Sequence, residues 1–170
     1  MAGKEVADWI VRQAVLGTSP EELLEGFCTR LCHAGVPVFR LHIAHRAHHP
    51  EFGTIAFNWW RDKGVGRETY EHTSDPAEQW LKSPLRHMLV EHLEELRIDL
   101  ADDAALQRFP FLAELRDRGA TDYYATRLVF DEVAEEATID PENPPEGLLI
   151  SWVSDAEDGF SDEDLQTIRG

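Results

Sequence analysis

Four histidines crowd one stretch of the chain: His42, His45, His48 and His49. Imidazoles so close in sequence suggest a metal ion. Their spacing argues against it. In a regular strand, residues three apart point to opposite faces, so His42 and His45 share an ion only if the strand bulges. His48 and His49 precede Pro50 in a turn. The group therefore divides between ordinary surface or edge histidines and a rival reading, a small metal-dependent enzyme built on the His42–His49 cluster. His87 and His92 are five apart, roughly 140° around a helix, and do not form a pair. Cys28 and Cys32 stack on one helix face, where two thiols have poor geometry for a disulfide. They read as small core side chains.

Three other patterns fail on inspection. Gly64-Val65-Gly66-Arg67-Glu68-Thr69 begins like a dinucleotide-binding loop but lacks the third glycine and leads into a strand. The acidic run Asp155 to Gly159 resembles a calcium loop, yet its twelfth position would be Leu165, which cannot bind an ion. No Walker-type phosphate loop is present, and spacing alone places no Ser-His-acid or Cys-His arrangement. No catalytic residues are assigned.

The aromatic and polar residues at strand ends are more informative. Trp59, Trp60, Arg61, His72, Trp80, Tyr123 and Tyr124 lie at the ends of expected strands or just outside them. A small-molecule pocket needs apolar walls with a few polar groups, and Trp59, Trp60, Arg61, His72, Trp80 and Tyr123 are the candidates for it. The competing reading is that the tryptophans are simply core. Trp59 and Trp60 are adjacent, so at most one of them faces a given core.

The elements that must carry these residues follow from periodicity. Residues 4–16 place Val6, Trp9 and Ile10 on one helical stripe, which packs on its own domain or pairs with another chain. Ser19-Pro20-Glu21-Glu22 starts a second helix and Gly35 ends it. Residues 37–47 alternate Phe39, Leu41 and Ile43 with Arg40, His42 and Ala44, as a strand does, and 54–61 is its hairpin partner. Gly64 and Gly66 mark a turn before a short strand over 68–72. Ser74-Asp75-Pro76 and Ser83-Pro84 start two short helices. A short strand over 96–100, a helix over 106–118, strands over 121–130 and 147–153, and a helix from Asp162 complete the order. Hairpins with helices set between them indicate an α+β fold, a central antiparallel sheet flanked by helices.

The composition bounds the function. At 170 residues the chain is one domain, and with 42% apolar residues it can build a core. A net charge of −17 repels phosphates, which excludes nucleic acid and anionic membranes as partners. No apolar run approaches the ~20 residues of a membrane span. The N-terminal MAGKEVADWIVRQ lacks a signal core, so a cytoplasmic location is expected. Residues 131–146 are acidic and carry three prolines, which reads as an exposed loop insert.

Several pieces then recur in a familiar order. They are Thr18-Ser19-Pro20-Glu21-Glu22-Leu23-Leu24, with His49-Pro50 following; Phe109-Pro110-Phe111-Leu112-Ala113-Glu114-Leu115, followed by Gly119-Ala120-Thr121-Asp122-Tyr123; and Ser151-Trp152-Val153-Ser154, leading into Gly159-Phe160-Ser161-Asp162-Glu163-Asp164-Leu165. Phe57 to Arg61, Glu71-His72, and Trp80 with Ser83-Pro84-Leu85 support them. With these, the chain from Trp9 to Leu165 resembles the N-terminal GAF-like sensory domain that precedes the catalytic domain in some bacterial class III adenylate cyclases. The resemblance implies a single GAF-like regulatory domain over 1–170, with no catalysis of its own. It implies a C-terminal cyclase domain in a longer chain, the last helix being cut near Gly170. It also implies a homodimer through the first and last helices, and Trp9 on the stripe of the first helix is the expected anchor, since Trp is favoured at interfaces. A small-molecule ligand is expected, but no particular cofactor is implied.

Overall fold

A computed structural model describes residues 2–46, 52–71, 78–129 and 147–169. Helix α1 (Ala2–Val15) leads into α2 (Pro20–His33). Ser19 caps α2: its hydroxyl accepts the Glu22 N–H, and the Glu22 carboxylate accepts the Ser19 N–H. Strands β1 (Val38–Arg46), β2 (Phe52–Trp60) and β3 (Gly64–Glu71) follow, then the short helices α3 (Glu78–Leu81) and α4 (Pro84–Val90). After β4 (Glu95–Asp99) come α5 (Asp103–Arg108), α6 (Pro110–Asp117), β5 (Asp122–Val129), β6 (Gly147–Ser154) and α7 (Asp162–Arg169).

The six strands form one antiparallel sheet in the order β3-β2-β1-β6-β5-β4. The α+β architecture and the β1–β2 hairpin are as the alternation requires. Side-chain alternation splits the buried residues between two layers. On the first face, Leu41, Trp59, Tyr124 and Trp152 pack under Val6 of α1, Leu24, Cys28 and Leu31 of α2, and Leu165 of α7. On the second, Ile98, Tyr123, Ala125 and Val153 pack under Leu85 and Met88 of α4, Leu106 of α5, and Leu112 and Leu115 of α6. Both faces are covered, so β5 buries Tyr123, Tyr124 and Ala125 in succession.

Two elements differ from the sequence expectation. The helix over 106–118 is two helices, because Pro110 disfavours helical geometry at the residue before it and Phe109 turns out to φ −125°, ψ 82°. β3 begins at Gly64, not at residue 68. Gly66 pairs with Asn58 inside the ladder, and Gly64 takes φ 77° at its start. The acidic segment 131–146 lies outside the described residues.

Candidate functional site

The second sheet face carries a row of polar side chains where a core would ordinarily be apolar. Register places Asn58 of β2, His42 of β1 and Ser151 of β6 side by side across three strands. Arg40 lies one row away, between Trp60 of β2 and Val153 of β6, and Tyr123 of β5 follows beyond Val153. Arg40, Tyr123 and Ser151 are buried. Around them the floor is made of small residues: Ala56 and Ala125 are fully buried, and Ala44 pairs with Ala56.

Hydrogen bonds fix the orientation of this patch. Asn58 Oδ1 accepts from Arg40 Nη2 at 2.5 Å and lies 2.8 Å from His42 Nδ1. An arginine can only donate, so the atom facing it is the amide oxygen. His42 must therefore donate through Nδ1–H, which leaves the lone pair on Nε2. Burial, reinforced by the Arg40 cation, pushes the His42 pKa down to about 4. The ring is neutral at pH 7. Burial pushes Tyr123 up to about 12, opposed by its hydrogen bond to Ser151. The phenol stays protonated. The patch thus holds a cation, a neutral imidazole with its Nε2 lone pair, and two neutral hydroxyls bonded to each other.

The residues picked from sequence divide among several places. Trp60, Trp80 and Tyr123 belong to the second layer. Trp59 points into the first layer, beside Leu41 and Val65, and is brought to none of them. That separation follows from its adjacency to Trp60. Trp60 is already enclosed: the Arg118 guanidinium sits 3.6 Å from its ring centroid, Arg40 sits 5.2 Å away, and Phe39 meets it edge-on at 5.5 Å. Arg61 is half-exposed and ion-pairs with Asp155. His72 lies outside the described residues, as do His48 and His49. His42 faces the second layer and His45 the first, and no metal-ligating cluster occurs among the described residues.

Sequence reasoning missed Arg40, Asn58 and Ser151 as site residues and weighed His42 only as a metal ligand. Their signal was the polar half of the strand alternation, which looks solvent-facing unless helices cover both faces. A cleft of about 370 Å³ also opens beside β4, lined by His87, Arg97, Asp99, Asp102 and Arg108 among others. Within it Arg108 meets His87 and Arg97 pairs with Asp122, as Arg40 and His42 meet Asn58 in the polar patch.

No protein-family model matches the chain, and neither does any curated protein sequence. Among solved structures it is similar to the phycocyanobilin-bound GAF domain from a cyanobacterial phytochrome. The identity is 13%, the match covers 98% of this chain and 87% of that one, and the TM-score is 0.52. The chain therefore has a GAF-like fold. No helix among the described residues is long and apolar enough to cross a membrane.

Proposed function

We propose that the chain is a sensory input domain without catalysis of its own, whose ligand binds over the Arg40–His42–Asn58–Tyr123–Ser151 patch. The ligand-induced change passes through the sheet to the terminal helices and controls an adenylate cyclase domain C-terminal to it. The supporting observation is the placement of two consecutive residues of β5. Tyr123 bonds Ser151 on the patch face, while Tyr124 accepts from Arg169 of α7 at 3.0 Å on the other face. A change at the patch thus has a short physical route to the last helix.

The reading includes a homodimer. Val6 is buried in the domain, Ile10 packs against its core, and Trp9 packs on Gly26 with the Arg30 guanidinium 3.8 Å from its ring. The outer face of α1 and the turn after it instead expose Val11, Val15 and Leu16. That apolar stripe, rather than Trp9, is the contact we assign to the second copy.

The test is cAMP synthesis by the natural full-length product, with Asn58→Ala as the variant that unlatches both Arg40 and His42. Altered regulation with intact basal synthesis is expected. Absence of a cyclase domain from the same reading frame would end the cyclase part of the proposal. Sedimentation of the wild type and of Val15→Glu tests the dimer, and a monomeric wild type at high concentration refutes it.

A further inference from the structure

We infer that the ligand of this face carries an anionic group, a carboxylate or a phosphate, and that Arg127 receives it. The inference rests on the reading of the second face as a ligand site.

Arg127 lies on that face, one row beyond the Ala125–Ser151 pair and opposite Leu149. Its Nε and Nη1 are buried and have no hydrogen-bond partner. Arg127 is half-buried, and buried guanidinium N–H groups left without an acceptor are uncommon. Its backbone N–H is satisfied by Glu94 O, so the strand itself is not irregular there.

Along the described strands, alternation brings to this face Arg40 from β1, Glu68 from β3 and Arg127 from β5. Glu68 sits opposite Ala56 at the far side of the sheet, and Glu94, whose carbonyl accepts the Arg127 N–H, precedes β4 on the near side. The anion preference is therefore placed on the unpartnered Nε and Nη1 of Arg127 and not on a net charge of the face. The neutral His42 adds an acceptor at Nε2, which suits a ligand that also carries an N–H or O–H. Phe111, exposed on α6, is the aromatic side chain of this layer open to a ligand.

The test uses three probes of one shape: benzoate, phenyl phosphate and the neutral benzamide. Binding to the purified domain is followed by calorimetry and tryptophan fluorescence. At least one anion should bind tenfold or more tightly than benzamide, and the tighter one identifies the anionic group. Arg127→Gln should remove the preference and Arg127→Lys should keep most of it. Arg127→Met should leave the Tm of the ligand-free domain unchanged or raise it, since the buried Nε and Nη1 that it removes make no hydrogen bond. Equal binding of anions and benzamide would overturn the anion inference while leaving the ligand site standing. Failure of all three probes would overturn the site and the inference together. A clear fall in Tm for Arg127→Met would show that the arginine is structural.

Discussion

Tyr123 and Tyr124 are neighbours in β5 whose side chains end in different layers, one against Ser151 on the polar face and one against Arg169 of the last helix. Arg169 is shared: its guanidinium also donates to Glu95 of β4 at 2.6 and 3.0 Å. The end of α7 is therefore tied to two strands by one side chain. Tyr124→Phe should keep the packing of the ring and lose the bond to Arg169. Amide hydrogen exchange over 162–169 should accelerate while β5 and β6 keep their protection. Unchanged exchange in α7 would show that Glu95 alone holds Arg169.

Asp122 is the buried anchor of the turn that enters α7. Its carboxylate accepts from the Phe160 N–H at 2.9 Å and from Arg97 Nη2 at 2.7 Å, and Arg97 also donates to Phe160 O at 2.6 Å. Gly159 is fitted to this anchor. It sits at φ 71°, and a Cβ there would meet Asp122 Oδ2 at 2.6 Å. Asp122→Ala should cost roughly 2–4 kcal/mol, since Arg97 and a buried amide lose their acceptor. Gly159→Ala should cost roughly 1–3 kcal/mol from strain and crowding at the same point. Urea unfolding measures both. Because the two act on one contact, the double variant should lose less than the sum.

Trp9 and Gly26 make a second fitted pair. A Cβ on Gly26 would overlap the Trp9 ring, which lies across α2 beneath Arg30. Gly26→Ala alone should destabilise, although alanine is the better helix former by about 1 kcal/mol. In a Trp9→Ala background the same change should stabilise by roughly 0.5–1 kcal/mol, because only propensity remains. A Gly26→Ala effect of the same sign in both backgrounds would mean that Trp9 does not rest on α2.

The architecture was legible because its signals are local. Ser19 with Glu22 marks the start of α2, and Leu41 and Ile43 mark the first face of β1, whereas Phe39 alternates with them in sequence but is turned into the second layer by the irregularity between Val38 and Arg40. The break at Phe109 was missed although Pro110 announces it: the apolar run from Leu106 to Leu115 keeps helical spacing across it. The candidate site was harder to see for a tertiary reason. Arg40 and His42 occupy positions that in a one-sided sheet face water. The second helical layer leaves Arg40 buried beside Phe111 and His42 half-buried, and no local pattern states that both faces are covered. Trp59 and Trp60 drew attention by their size. Their neighbours Leu41, Phe39 and Arg118 come from other segments and set the layer that each ring joins.

His42 yields a prediction with a definite sign. Its folded pKa is pushed down to about 4 by burial and by Arg40, with Asn58 and Glu68 opposing, against an ordinary value of 6.5. The folded state holds the ring neutral while the unfolded chain takes up a proton as pH falls below 6.5. Its contribution is therefore unaffected above about pH 6.5 and is lost progressively as pH falls toward 4. The full difference approaches about 3 kcal/mol. The net charge of −17 works in the opposite direction, since protonating surface carboxylates relieves repulsion. The wild-type profile alone thus does not isolate His42, and the comparison must be with a variant. His42→Gln keeps a side-chain donor for Asn58 and cannot titrate. Urea midpoints of the two proteins between pH 7.5 and 4.5 should diverge, with the wild type losing stability relative to the variant below about pH 6.5. Parallel profiles would mean that His42 titrates as a solvated imidazole and that the polar patch is open to water, not shielded beneath the second helical layer.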